Sequence, residues 1–171
     1  MFYGLAVILA AVTSSGCSQN LEWSAVQAMV RSSFPSVNQI STDSLSVRLA
    51  DSTAARPVIL DVRTPEEFAV SHLAGAIRVD PDAVSFPELL SLDRNTPIVA
   101  YCSVGYRSSR VVERLLESGF ADISNLEGSI FKWSNEGRPI VDSLGPAQQV
   151  HAFDKTWGKL LNEDLRAGTA N

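Results

Sequence analysis

The sequence predicts an α/β fold, a small parallel sheet of about five strands with helices on both faces. Three observations predict it. Short apolar, β-branched runs alternate with segments of helical periodicity between residues 37 and 141, which is how a parallel sheet with helical crossovers reads. Val58-Ile59-Leu60-Asp61-Val62 is bounded by Pro57 and Pro65 and has the composition of a strand buried on both faces. Thr64-Pro65-Glu66-Glu67 follows at once. It supplies an N-cap threonine, a proline at the first helical position and acids in the first turn, where the helix dipole favours them.

The length of 171 residues suits one domain with a full core and small extensions. A net charge of −5 and the lack of any basic stripe argue against nucleic acid as a partner. Residues 1–17 read as a leader rather than as fold. Phe2 to Val12 is almost wholly apolar and about as long as a signal-peptide core. It is too short for a membrane-spanning helix, which takes roughly 20 apolar residues. Gly16-Cys17 after this run resembles a bacterial lipobox, whose cysteine is lipidated, although Ser14 stands where Leu is usual and no Lys or Arg precedes the run. The expectation is an exported chain, periplasmic or attached to a membrane through lipidated Cys17. A simply cleaved export signal and a plain apolar leader are the alternatives.

Taken in order, Trp23, Val26, Val30 and Phe34 recur at helical spacing before Pro35, so residues 21–36 form an N-terminal helix docked on the domain. Val37–Ile40 reads as a short edge strand. Ser41-Thr42-Asp43 caps a helix with Leu45, Val47 and Leu49 on its apolar side. Residues 51–56 are a polar linker. After the Val58–Val62 strand and the helix opened by Thr64, Ala76–Val79 is a third short strand and Phe86–Leu92 a helical segment. Pro97-Ile98-Val99-Ala100-Tyr101 is the next strand. From Ser108, Val111, Val112, Leu115 and Leu116 share one helical face that Gly119 ends. Ile123–Leu126 is a last short strand, and Glu127-Gly128-Ser129 leads into a helix containing Phe131 and Trp133. Beyond Pro139 the pattern loosens. Residues 142–171 form a C-terminal extension with a turn at Gly145-Pro146, a docked helix over His151–Leu161 and a frayed end.

The chemistry concentrates in Tyr101-Cys102-Ser103-Val104-Gly105-Tyr106-Arg107-Ser108-Ser109. The strand delivers a thiol to a strand-to-helix turn, at the carboxyl end of the sheet where open α/β folds place their sites. Unpaired N–H groups and the positive end of the helix dipole favour a thiolate there. Cys102 is the candidate nucleophile. Gly105 permits a positive φ, so that successive amides point inward. Arg107 supplies a fixed charge for an anionic donor and holds the thiol pKa down; a structural salt bridge is its other reading. Cysteine-dependent phosphatases place five residues between cysteine and arginine, whereas here there are four. The narrower cradle suits sulfur better than a phosphoryl group. The only other cysteine lies in the leader, which counts against a dithiol oxidoreductase.

With this loop, the phrases Leu60-Asp61-Val62-Arg63-Thr64-Pro65-Glu66-Glu67-Phe68, His72-Leu73-Ala74-Gly75-Ala76-Ile77 and Asn125-Leu126-Glu127-Gly128-Ser129-Ile130 resemble the rhodanese family of sulfurtransferases. The resemblance covers residues 37–141, one single-domain unit, and implies a rhodanese-like three-layer sandwich. It implies a persulfide cycle in which Cys102 takes the outer sulfur of a small donor such as thiosulfate. The sulfur then passes to a thiol, a protein cysteine or cyanide. No metal or organic cofactor is required. Ser103, Val104, Gly105, Tyr106, Arg107 and Ser108 are the expected substrate-binding positions, their N–H groups stabilising the persulfide anion. A non-catalytic interaction module of the same family, and a cysteine-dependent phosphatase or arsenate reductase, are the rival readings.

Other conspicuous residues read as structural. Asp61 and Arg63 brace the loop or the strand ends. His72 is a hydrogen-bonded support rather than a base, since attack by a thiolate needs none. His151 has a surface or docking role. Ser103, Ser108 and Ser109 serve caps and loop hydrogen bonds. Phe131, Trp133 and Trp157 are core, and Lys132 and Arg138 a solvated face.

Overall fold

A computed structural model describes the backbone of residues 15–167 and the side chains of residues 22–167. The apolar leader and the Cys17 side chain lie outside these described residues.

Five strands, Gln39–Ile40 (β1), Val58–Asp61 (β2), Ile77–Arg78 (β3), Ile98–Tyr101 (β4) and Ile123–Leu126 (β5), pair in parallel in the order β1-β5-β4-β2-β3. The α/β class is as expected. The period-two alternation of side chains builds a core on each face. Leu60, Ile98, Ala100 and Ile123 point to one side, Ile59, Val99, Tyr101 and Leu126 to the other. Every residue of β4 is buried, which is why its sequence is continuously apolar.

The first face is covered by the C-terminal half of α1 (Ser15–Ser33) and by α4 (Tyr106–Glu117), through Val30, Val111, Val112 and Leu115. Leu45 of α2 (Thr42–Ala50) and Ile130, Phe131 and Trp133 of α5 (Ser129–Asn135) cover the second face. Trp23 and Val26 of α1 lean on that second face, so α1 runs past an edge of the sheet. The expected helix starts are present. Ser41 caps α2 by accepting from the Ser44 N–H at 3.0 Å. Thr64 and Glu67 form a reciprocal capping box at α3 (Pro65–Val70).

Four local expectations need correction. Phe86–Leu92 is not a helical segment but a single 3₁₀ turn, Pro87–Leu89. Burying Leu89 satisfies it, while Leu90 is left 79 % exposed. The Gly145-Pro146 turn is instead one strand of a hairpin, Ile140–Asp142 (β6) against Gly145–Ala147 (β7). The Asp142 carboxylate turns the chain one step earlier, accepting the Leu144 and Gly145 N–H groups. No helix spans His151–Leu161. That segment opens with Val150–His151 (β8), passes Phe153 at φ +64°, and closes in a 3₁₀ turn, Trp157–Leu160. A Cβ on Gly158 would sit 3.0 Å from the Ala152 Cβ, so the chain folds back on itself more tightly than a helix allows. The docking itself is as expected, since Leu160 and Leu161 are buried. Within the described residues the end is not frayed: Arg166–Ala167 (β9) pairs in parallel with β8.

Candidate active site

Cys102 follows β4, the central strand, and precedes α4. Its N–H donates to the Ser129 hydroxyl at 3.1 Å, and its carbonyl accepts from the Ile130 N–H at 3.2 Å. The Ser103 carbonyl accepts from the Phe131 N–H at 3.2 Å. The first amides of α5 thus hold the cysteine loop from behind, which is why Gly128 (φ +74°) and Ser129 (φ +52°) take left-handed conformations there. Gly105 caps α4 at φ +113° and turns its N–H onto the Cys102 Sγ at 3.2 Å. A side chain at Gly105 would be strained at that φ and would approach the Asn125 Nδ2 to 3.2 Å.

The residue Cys102 is 1 % exposed and carries a free thiol. Burial pushes this thiol up, but the Arg107 guanidinium and hydrogen bonds from Ser108 and Gly105 outweigh it and hold the pKa below its ordinary value. The Ser108 hydroxyl is itself fixed by Asn125 Oδ1 at 2.6 Å, and Asn125 is held by Gln39 on the edge strand.

Arg107 reaches back over the loop as a two-pronged partner of Glu67, Nη1 to Oε2 and Nη2 to Oε1, both at 2.8 Å. Its Nη2 also donates to the Ser103 hydroxyl at 3.0 Å, which in turn donates to Glu67 Oε1 at 2.9 Å. The salt bridge weighed as the other reading of Arg107 is therefore present, and the guanidinium lies within electrostatic reach of Cys102 at the same time. Burial pushes the Glu67 carboxyl up, yet Arg107, the Thr64 N–H and Ser103 bring it down to about 2. In the sequence Glu67 is simply a first-turn acid.

Asp61 and Arg63 form a fully buried ion pair, with Arg63 Nη2 2.7 Å from Asp61 Oδ2 and 2.5 Å from the Ser71 carbonyl. Tyr101 donates its hydroxyl to Asp61 at 2.6 Å and accepts the Leu73 N–H at 3.0 Å. This network, 0 % exposed, ties the carboxyl ends of β2 and β4 to the following loop, and its Tyr101 packs in the core on the face of the sheet opposite that of Cys102. His72 stacks on Phe68 at 3.8 Å and exchanges backbone hydrogen bonds with Val141. His151 accepts the Phe153 N–H at Nδ1, 3.0 Å away. Phe131 and Trp133 are core residues. Trp157 is half-buried at the rim of the site. Lys132 and Arg138 sit at the surface in ion pairs with Glu136.

A cavity of about 430 Å³ opens over the loop, with Cys102, Val104, Tyr106 and Arg107 as its floor. Met29, Phe153 and Trp157 form its walls. Trp157, expected as core, packs against the core but also lines this opening, and nothing local in the sequence marks Met29 or Phe153 as wall residues, because they come from the two extensions. Among the described residues no cluster of three His, Cys, Asp or Glu side chains is placed to hold a metal ion. No helix among them is long and apolar enough to cross a membrane.

Comparison with known proteins agrees with this geometry. A sulfurtransferase of Allochromatium vinosum is 32 % identical over 109 residues, 64 % of this chain and 99 % of that relative. The thiosulfate sulfurtransferase GlpE of Pseudomonas aeruginosa is 29 % identical over 90 residues, 53 % of this chain and 80 % of GlpE. The crystal structure of a rhodanese-like domain protein from Staphylococcus aureus superposes with a TM-score of 0.51 at 35 % identity, covering 59 % of this chain and 95 % of that one. The family model of the rhodanese-like domain matches residues 41–136. That match spans more than half of the chain, from the cap of α2 to the end of α5, and the chain belongs to the rhodanese-like domain family.

Proposed function

We propose that this chain is a sulfurtransferase that carries sulfane sulfur as a persulfide on Cys102. The observation that carries the reading is the Cys102 Sγ at the start of α4, with the Gly105 N–H at 3.2 Å and a thiol pKa held below its ordinary value. The thiolate attacks the outer sulfur of thiosulfate, the S–S bond of the donor breaks, and sulfite leaves with the electron pair. The outer sulfur of Cys102–S–S⁻ lies among the donors that stabilised the thiolate. An acceptor thiolate then attacks that sulfur, Cys102 leaves as a thiolate, and the acceptor becomes a persulfide; with cyanide the product is thiocyanate. Each displacement has a thiolate as nucleophile or leaving group, so a depressed pKa helps.

Incubation with thiosulfate is expected to add the mass of one sulfur atom to Cys102, and Cys102→Ser to abolish the adduct. Absence of an adduct with every sulfane donor, together with no thiocyanate from cyanide, sinks the reading. The rate of loading rises with pH through a pKa below the ordinary thiol value. Arg107→Gln removes the charge that favours the thiolate, raises this pKa, and lowers loading at neutral pH by about tenfold, with recovery in alkaline buffer. No loss on this substitution refutes the role given to Arg107.

We also propose that the chain is exported, with Cys17 lipidated, and that a dedicated sulfane donor or protein-thiol acceptor serves it there. Small thiols that would discharge a persulfide are scarce in oxidising compartments. Mass spectrometry of the mature N-terminus tests export directly. An unprocessed Met1 overturns it.

A further inference from the structure

The walls of the active-site cavity come from outside the family match. Met29 belongs to α1 and Phe153 and Trp157 to the C-terminal extension, whereas the match covers residues 41–136. Two unrelated segments thus converge on one opening and bring only apolar surface to it. Met29, Tyr106 and Phe153 are 37 %, 43 % and 43 % exposed, a concentration of large apolar side chains around the buried thiol. Phe153 holds its position at φ +64°, a conformation disfavoured for any residue but glycine, and the His151 ring fixes its N–H at 3.0 Å. Strain of this kind gathers at functional sites.

The charge of the cavity points the same way. Among the described residues, Arg107 is the one charged residue lining it. Both of its terminal nitrogens are bound by Glu67, and the Phe153 ring covers the guanidinium at 4.7 Å from the centroid. A small dianion entering here meets a guanidinium already shared with Glu67 and an apolar wall. A donor with an apolar body buries that body against Met29, Phe153 and Trp157 while its sulfur reaches Cys102. The volume of about 430 Å³ is that of a small-molecule site.

Resting on the sulfurtransferase reading, we propose that the extensions form a subsite for the aryl or branched-alkyl body of an organic sulfane donor, R–S–S⁻ or R–SO₂–S⁻. With a thiosulfonate, the Cys102 thiolate attacks the outer sulfur and its S–S bond to the sulfonyl group breaks. The sulfinate R–SO₂⁻ leaves with the electron pair, and Cys102–S–S⁻ remains. With an organic persulfide the leaving group is the thiolate R–S⁻.

Benzenethiosulfonate and methanethiosulfonate, offered to the full chain, share the reacting group and differ in R. The second-order rate constant of persulfide formation, read from sulfinate release, is compared for the two. The same ratio measured with free cysteine in solution corrects for their intrinsic reactivity. The benzene donor is expected to be favoured by about tenfold or more beyond the solution ratio, the discrimination a hydrophobic pocket gives an added apolar group. Phe153→Ala and Met29→Ala, at side chains more than a third exposed, each return the ratio toward the solution value. A wild-type ratio equal to the solution ratio, with both donors loading Cys102, overturns the subsite and leaves the sulfurtransferase reading standing. Loading by neither donor nor by thiosulfate overturns both.

Discussion

Glu67 decides the electrostatics of the loop. Its carboxylate takes both arms of Arg107, the Ser103 hydroxyl and the Thr64 N–H, joining the helix after β2 to the loop after β4. Against an unfolded value of roughly 4.3, its folded pKa is lowered to about 2. A depressed carboxylate adds stability that is fully present above the unfolded pKa and is lost as pH falls through the folded one. The contribution of Glu67 is therefore complete at neutral pH and disappears between about pH 4.5 and 2. Discounted for the partial exposure of Arg107, it amounts to roughly 2 kcal/mol. Glu67→Gln is expected to be less stable by about that much at pH 7, with the gap to the wild-type protein closing as denaturation is followed toward pH 2. A gap that stays constant with pH refutes the assignment. Nothing adjacent to Glu67 in sequence marks it as the partner of Arg107. Arg107 is 40 positions away, and only the fold brings the two together.

At the scale of elements, the contact between α5 and the cysteine loop is the one to break. Ser129 is 0 % exposed; its hydroxyl accepts from the Cys102 N–H and donates to the Leu126 carbonyl, both at 3.1 Å. Ser129→Ala leaves the Cys102 N–H buried without a partner, a cost of about 1–3 kcal/mol. The expected result is a lower melting temperature together with slower persulfide loading, because the same bond positions the nucleophile. Unchanged loading would mean that the loop is held without Ser129. The elements that sequence reading reached are those whose determinants are local. β2 and β4 announce themselves by short, mainly apolar, β-branched runs, and α3 by a cap, a proline and acids in four consecutive residues. The cysteine loop was legible for the same reason, with its thiol, glycine and arginine inside six positions. The segment 151–161 shows the limit. Phe153, Trp157, Leu160 and Leu161 have helical spacing, but the positive φ of Phe153 and the contact of Gly158 with Ala152 are set by tertiary packing. The apolar residues there are spaced for two partners, the core and the active-site mouth, rather than for one helical face.

For the molecule as a whole, the question is whether the C-terminal extension is an appendage or part of the domain. The Allochromatium vinosum relative is matched over 99 % of its length by 109 residues of this chain, and the family match ends at residue 136, before the extension begins. Here, however, Val150, Ala152, Leu160 and Leu161 are all at most 5 % exposed, and Val150, Leu160 and Leu161 share one core with Ile59, Val99, Phe131 and Trp133. The Asn135 side chain at the end of α5 donates to the Leu160 carbonyl at 2.7 Å and accepts the Asn162 N–H at 2.8 Å. Burial of Val150, Leu160 and Leu161 contributes on the order of 5 kcal/mol, at about 1.5–3 kcal/mol per side chain. A domain of this size has only about 5–15 kcal/mol in total. Removing residues 149–171 is therefore expected to lower the melting temperature by about 15 °C or more, and the full chain to melt in one transition that includes the extension. A truncated chain melting within a few degrees of the full one would make the extension an appendage. Such an appendage could still wall the active site, but it would have to hold Phe153 in a strained backbone with nothing beneath it. The burial of Leu160 and Leu161 supplies that foundation, so the stability of the extension and the shape of the active-site mouth stand or fall together.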